Sequence, residues 1–553
     1  MRVVRIHWSF WVALLLAMPV LGVLSSWLSL NQASLDVLTH QWDTVMGPYA
    51  LSSLWLSLGV GIGVAIVGGL TAAAVTLLDF PGRRTLEWAL LLPMAMPAYV
   101  LAYVYTDTLS FGGPVQTPLR DWLGLEGRLW PDVRSLPGAI VLFVVCLYPY
   151  VYLLTRSALA GQGVRLMEAA RLLGAGTGRQ IRTIALPLAR PALAAGVALA
   201  LMETLADYGV GSYFGLNTFT TGIYRAWLSM DDRQAAAQLA TLLLLAVVGL
   251  MAWERYARRG LRVASPRAGA TQAQTAARRL PAWQGVLALL LCSLPVLLGF
   301  LLPVGLLGRL MWQEATYGEF GLPWDAFGQW AWTSLMLAAV SSALAVMLAL
   351  ALGHALRRHP SPLLRTTTRV VSLGYAVPGA VIAVGLLLPV GILQQWWPSD
   401  PAWAAWGPSA IVTGTVTGLI YAYLVRFSSV ALQSVEAGYA QISPTLDESA
   451  RLMGGTGWRL WARVHAPLLW RPALAATLLV FVDVMKELPA TLVLRPFNSD
   501  TLAVIAYQMA RDERLGEAAL PSLAIVAVGL IPVVMLSRAM RQGMGAKSTG
   551  TQA

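Results

Sequence analysis

Long apolar runs separated by short polar stretches set the character of this chain. Ala50 to Leu78 and Thr333 to Gly353 contain no charged residue, and each reaches the roughly 20 residues a helix needs to cross a hydrocarbon core of about 30 Å. Runs of this kind recur about twelve times by the same length criterion. The pattern therefore predicts an all-α, polytopic membrane protein of about 12 transmembrane helices. At the start, Arg2 and Arg5 precede an apolar stretch that runs on to Leu30 with no small-residue cleavage site. It reads as an uncleaved first span rather than a secretory signal.

The apolar pattern repeats itself. Ser53-Leu54 returns as Ser334-Leu335 and Pro97 as Pro378, and the run Arg190 to Ala195 returns as Arg471 to Ala476, each 281 residues on. Two tandem copies with six spans each keep the same orientation, related by an axis along the membrane normal. The expected organisation is a first half over 1–257, a cytoplasmic linker over 258–281, a second half over 282–542 and a cytoplasmic tail over 543–553. The linker lacks apolar periodicity and is rich in Arg, Ala, Gly, Thr and Gln, which suits a flexible connection.

Composition agrees: 57% of the 553 residues are hydrophobic and 12% charged, about half the charge of a soluble protein. The net charge of +12 invites a nucleic-acid reading, which the placement of the arginines excludes. Arg83–Arg84, Arg156 to Arg190, Arg258 to Arg279, Arg357 to Arg369 and Arg451 to Arg471 fall in alternate loops, whereas Gln313 to Gln329 carries Glu314, Glu319 and Asp325 with no Lys or Arg. This is the positive-inside asymmetry, with both termini cytoplasmic. The loop with Arg120, Arg128 and Arg134 departs from it, partly offset by Asp121, Glu126 and Asp132. Trp396, Trp397, Trp403 and Trp406 cluster in one outer loop, at headgroup level. Cys146 and Cys292 both fall within predicted spans, so no disulfide framework is indicated.

Two cytoplasmic loops share an unusual pattern. Glu168-Ala169-Ala170, Gly174, Ile184 and Pro187 in one match Glu448-Ser449-Ala450, Gly454, Val464 and Pro467 in the other, position for position, 280 residues apart. Each reads as a short helix, a glycine turn and a second short helix stopped by proline, a rigid knob for a partner. The spacing resembles the EAA loop of ABC importer permeases, with Ser449 for the middle alanine and Val464 for isoleucine as departures. In that family the loop is the coupling helix seated in a groove of the ATPase. The resemblance implies a fused permease whose two loops engage a homodimeric ATP-binding subunit on the cytoplasmic side, in a bacterial inner membrane. ATP and Mg would be used by that partner, since Lys486 and Lys547 are the only lysines and neither sits in the glycine-rich sequence a phosphate-binding loop needs. This chain is therefore expected to be no enzyme and to bind no cofactor of its own.

Charges also fall inside predicted spans, where they are costly unless they face one another or a polar cavity. Glu203 lies about 20 Å beyond Arg190 at 1.5 Å per helical residue, and Asp483, Lys486 and Glu487 reach similar depths from Arg471. Glu203 and Asp207 at i,i+4, like Asp483 and Glu487, are expected to share a helix face, with Lys486 paired to a carboxylate as a gate or lining the pathway. Met202 to Gly209, including Tyr208, and Asp483 to Thr491 resemble the corresponding stretches of ferric-iron permeases, extended by Leu494 to Asn498 and Asp500 to Ala503; Ser499 departs from the pattern. The resemblance implies iron(III) as cargo, held transiently by Glu203, Asp207, Asp483 and Glu487, since a hard ion favours oxygen ligands. No high-affinity metal site is expected in the chain; tight binding falls to a periplasmic or lipoprotein substrate-binding protein. An organic cation such as thiamine or a polyamine could use the same acidic path, and an ion-coupled secondary transporter is the competing class. His7, His40, His354, His359 and His465 show no metal-ligand spacing and are expected to be structural. Gly59, Gly61, Gly63, Gly68 and Gly69 are expected to serve close helix packing in the lipid bilayer.

Overall fold

The computed structural model describes residues 4–28, 32–160, 166, 169–170, 172–258, 278–319, 321–398, 403, 406–455 and 457–545. The described chain is helical apart from a two-residue parallel pairing of Leu78–Asp79 with Arg278–Arg279. In chain order the principal helices of the first copy are α1 (Val4–Ser25), α2 (Gly47–Leu77), α3 (Ala98–Leu109), α4 (Leu136–Ala158), α5 (Leu186–Ala206), α6 (Gly209–Tyr213) and α7 (Arg233–Arg258). Those of the second are α8 (Ala282–Val296), α9 (Leu302–Tyr317), α10 (Trp324–Arg358), α11 (Pro362–Leu373), α12 (Gly379–Trp396), α13 (Thr417–Ala440), α14 (Pro444–Leu452), α15 (Ala466–Met485), α16 (Pro489–Leu494), α17 (Leu502–Arg511) and α18 (Leu515–Gly545).

Ten helical stretches among the described residues are long and apolar enough to cross a membrane, and a pair bent by 91° at Arg83–Ala95 and Ala98–Leu109 makes an eleventh. α13 is as long as its counterpart α4 but is not among them; it carries Arg426 at its buried centre. The duplicated prolines open helices: Pro97 before α3 and Pro378 before α12 each hold extended backbone after a short 3₁₀ turn. The duplicated serines accept a backbone N–H from a later helix start, Ser53 Oγ from Phe219 at 3.2 Å and Ser334 Oγ from Leu502 at 2.8 Å.

Two compact units form. One comprises Met1–Thr44, Gly222–Leu244 and Pro323–Gln508, the other Val45–Thr221, Leu245–Leu322 and Met509–Ala553. They do not coincide with the two sequence copies, because the leading helices are exchanged. In the first unit α10, α13 and α15 pack together and α1 lies on α11 and α12. Thr367 Oγ1 donates to Ser9 O at 3.1 Å, and a Cβ on Gly385 would stand 1.9 Å from Pro19 O. In the second unit α2 packs on α4 and α5, α8 packs on α2, and α9 on α18. Gly59, Gly63 and Gly68 serve that packing as expected, whereas Gly61 has room for a Cβ, with Leu201 and Val197 3.6 Å away. A Cβ at Gly59 would meet Ile140 at 2.5 Å, at Gly63 Val144 at 2.3 Å and at Gly68 Val151 at 2.7 Å. Polar links inside the same unit include the buried Tyr103 with Ser522 and the half-buried Arg156 with Glu87. Cys146 and Cys292 are both buried as free thiols.

Candidate coupling loops and intramembrane charges

The second loop is built from its ends inward. Ser443 caps α14, accepting from Thr445 N at 3.3 Å, and Pro444 starts the helix. The helix ends at Leu452 because Gly454 turns left-handed, at φ 82°. The N–H of Gly455 then bonds the Ala450 carbonyl at 2.8 Å, the six-to-one closure of a Schellman motif. The first loop repeats the device: Gly174 has φ 78°, and Ala175 N bonds Ala170 O at 2.9 Å. Nothing stands within 4 Å of a Cβ at either glycine. The requirement for glycine is thus one of backbone conformation.

Immediately before each glycine two large apolar side chains project into the open. Leu172 and Leu173 are 89% and 87% exposed, Leu452 and Met453 90% and 82%. Glu448, Ser449 and Ala169 are exposed beside them, whereas Ala450 is buried and Ala170, Ile184 and Val464 half-buried. Glu168 lies outside the described residues.

One expectation is corrected here. The prolines do not stop a second short helix. Thr177–Gln180 and Trp458–Leu460 run on through single π-helical turns, Ile181–Ala185 and Trp461–His465, directly into α5 and α15, whose first turn holds Pro187 or Pro467. A proline at the first turn lacks only a donor that would be unused there, and the wider turn takes up the local misfit.

The two loops are anchored by different chemistry. Arg357, near the end of α10, donates through Nε to Asp447 Oδ2 at 2.7 Å and through its terminal nitrogens to the carbonyls of Tyr439 and Ile442, both at 2.9 Å. His465 Nε2 bonds Asp447 Oδ1 at 2.9 Å, and the His465 ring stands 5.7 Å from His354 and 5.5 Å from Tyr439, centre to centre. Burial pushes the Asp447 carboxyl up, but the hydrogen bonds and charges of Arg357 and His465 outweigh it, so its pKa lies below the ordinary value. At the equivalent place in the first copy the residues are Ala73, Leu159 and Ala185, which pack as a small apolar cluster. No sequence signal joined His354 to His465, since only the docking of α10 against the loop brings them together.

The intramembrane acids take places other than a shared helix face. α5 ends at Ala206, and Asp207 swings out to ψ 132°, where its Oδ1 accepts from Val210 N at 2.8 Å and caps α6. The equivalent break ends α15 at Met485. Glu487, 5% exposed, accepts from Ala490 N at 2.9 Å, Thr491 N at 3.0 Å and Arg426 at 3.3 Å. The expected i,i+4 faces are therefore replaced by a duplicated cap, because each helix breaks between the paired positions. Lys486 Nζ pairs with Asp483 at 2.8 Å, one turn back on its own helix. Glu203 and Asp483 are half-buried and Tyr208 is buried. Among the described residues no group of three or more His, Cys, Asp or Glu is arranged to hold a metal ion.

Residues 65–263 and 344–544 each match the family described as binding-protein-dependent transport system inner membrane component. The Fe(3+)-transport system permease protein FbpB 2 of Haemophilus influenzae is 23% identical over 96% of this chain and 98% of its own length. The molybdenum transport system permease protein ModB of Escherichia coli is 29% identical over 39% of this chain and 94% of its own. A probable sulfate transport system permease protein cysT of Chlorokybus atmophyticus is 27% identical over 36% of this chain and 69% of its own length. With two family domains in tandem and apolar helices throughout, this multi-pass inner-membrane chain belongs to the inner membrane components of binding-protein-dependent transport systems, the permeases of ABC importers, in fused form.

Proposed function

We propose that this permease imports iron(III), and that its two loops couple transport to a pair of identical ATPase subunits on the cytoplasmic side, where both termini also lie. The observation that carries the coupling is the twinned apolar pair before a left-handed glycine, Leu172–Leu173 and Leu452–Met453. Side chains of that size, left more than four-fifths exposed at identical positions, fit insertion into a partner's groove. Glu168 and Glu448, with the backbone held by Gly174 and Gly454, complete each knob. ATP binding with Mg closes the partner dimer, and the knobs carry that motion to the halves, so that access alternates between the two faces. The chain contributes no chemistry of its own and no resident cofactor. A periplasmic or lipoprotein binding protein delivers the cargo.

Iron rests on the fused likeness to a ferric permease along nearly the whole chain, with Glu203 and Asp483 as half-buried carboxylates in the last turn before each helix break and Tyr208 just after the first break. Asp207 and Glu487 act in this reading by holding the breaks open, and Lys486 sets the position of Asp483. A second reading, an oxyanion cargo, is favoured by the engagement of Asp207 and Glu487 in caps and by the molybdate permease likeness of one half.

The test is uptake into proteoliposomes carrying the chain with its ATPase and binding protein. ATP-dependent accumulation of labelled iron(III) is expected, and molybdate should not accumulate. The quadruple variant Leu172→Ser, Leu173→Ser, Leu452→Ser and Met453→Ser should fold normally yet lose ATPase co-purification. Molybdate uptake without iron uptake would transfer the assignment to the oxyanion. Retained ATPase binding by the variant would sink the coupling reading.

A further inference from the structure

The lock that fastens the second loop encloses a cavity of about 240 Å³ between the end of α10, α14 and the π turn before α15. Its lining is overwhelmingly basic: His354, Arg357, Arg358, His359, Arg451 and His465, against the single carboxylate of Asp447. That carboxylate is already taken on both oxygens, by Arg357 and His465. Arg357 also spends its terminal nitrogens on backbone carbonyls. Arg358 and Arg451, both exposed at the rim, are left with no opposing carboxylate in the lining.

Among the lining side chains two ring nitrogens are buried with no protein partner, Nδ1 of His465, a residue 2% exposed, and Nδ1 of His354. A carboxylate only accepts, so His465 donates to Asp447 through Nε2, which leaves Nδ1 open to a further hydrogen bond. The guanidinium groups of Arg358 and Arg451 donate charge-assisted hydrogen bonds to an acceptor of opposite sign. In the first copy Ala73, Leu159 and Ala185 stand where the second has His354, Tyr439 and His465, and they pack as apolar groups, while Arg171 keeps the position of Arg451 in sequence. Two histidines with buried, unanswered nitrogens, where the other copy packs alanines, are more than the lock itself requires.

We propose that this cavity is a binding site for a phosphate-class oxyanion, which bridges Arg358 and Arg451 at the rim and stiffens the second coupling loop. The chemistry is a phosphate monoester or inorganic phosphate, supplied either from solution or as the headgroup of an anionic lipid. The site is independent of the cargo the permease carries, and its test needs neither cargo nor ATPase.

The purified chain in nanodiscs of phosphatidylcholine alone is titrated with inorganic phosphate and followed by phosphorus NMR, alongside the thermal midpoint. Saturable binding is expected, and Arg358→Gln/Arg451→Gln should weaken it at least about tenfold, the loss of charge-assisted bonds to an oxyanion, with the midpoint in phosphate-free buffer unchanged. Arg358→Gln alone should give a smaller loss. Discs containing phosphatidic acid decide the source: if they abolish phosphate binding in the wild type only, the headgroup is the occupant, and if they leave it intact, the occupant is free phosphate. Absence of saturable phosphate binding in phosphatidylcholine discs with no selective response to phosphatidic acid, or equal binding by wild type and double variant, overturns the proposal.

Discussion

Replacing Arg357 by methionine isolates the contribution of the lock to the second loop. In the wild type this guanidinium holds Asp447 Oδ2 at 2.7 Å and the carbonyls of Tyr439 and Ile442 at 2.9 Å, with side chains only 16% and 12% exposed in the ion pair. Its removal leaves a largely buried carboxylate answered by His465 alone and strips the carbonyls of Tyr439 and Ile442 of this donor. Breaking a buried pair by deleting one partner costs about 3–5 kcal/mol, and residual solvent contact places this case at the lower end. A local loss of about 3 kcal/mol corresponds to roughly a hundredfold faster opening of the loop. Amide hydrogen exchange reads this directly at Met453 and Gly455, whose N–H groups close the end of α14. Leu173 and Ala175, the equivalent amides of the first loop, should not change. Arg357→Met/Asp447→Asn should recover part of the protection, because the uncompensated charge is gone. The pH dependence has a definite sign. Asp447 is held below its ordinary pKa, so its contribution is complete above the usual carboxylate range of about 4. It is lost as pH falls through the depressed folded value. Equal acceleration in both loops would mean that the variant destabilises the whole chain, and no acceleration in the second would refute the lock.

Three further outcomes follow from the helix breaks and the leading helix. Glu487→Ala strips acceptors from Ala490 N and Thr491 N and leaves the buried Arg426 charge without its carboxylate, so the thermal midpoint should collapse with a loss of about 3–5 kcal/mol. Lys486→Met removes a more exposed i,i+3 pair, should cost no more than about 1 kcal/mol, and should alter transport without altering ATPase binding. Gly385→Ala forces a Cβ against Pro19 O, whereas Gly391→Ala meets only the mobile end of Arg233 at 3.0 Å. Thermal denaturation should report a loss of about 1–3 kcal/mol for the first and little for the second; equal midpoints would contradict the close crossing of α1 and α12.

Much of this architecture was legible in the order of residues because its causes are local. A run of apolar residues as long as the hydrocarbon is thick has few other folds available, and a glycine at Gly174 or Gly454 announces a left-handed turn without reference to anything distant. The duplicated Ser53 and Ser334 were visible as a repeat, but their purpose depends on where Phe219 and Leu502 start. Breaks after Ala206 and Met485 were hidden for a related reason. The i,i+4 spacing of Glu203 with Asp207 is equally good grammar for one helix face or for a helix end plus a cap, and only Pro489 hinted at the second. His354 and His465 belong to different helices and no local rule pairs them. Nor does an apolar run such as α1 carry an address for its neighbour.

The exchange of leading helices makes assembly a matter of timing. α1 leaves the ribosome long before its partner, because its hydrogen-bonded neighbour Thr367 is 358 residues further along than Ser9. At the roughly 5–20 residues per second of synthesis, α1 waits in the bilayer for about 20–70 s before α11 exists. Throughout that interval Pro19 and Gly22 lack the Gly385 backbone they meet in the fold. In a permease made of two separate subunits the same wait would end with a search through the membrane for the other polypeptide. Here the tether along the chain replaces the search with a delay, and covalent continuity ensures that each leading helix finds a mate of the right kind.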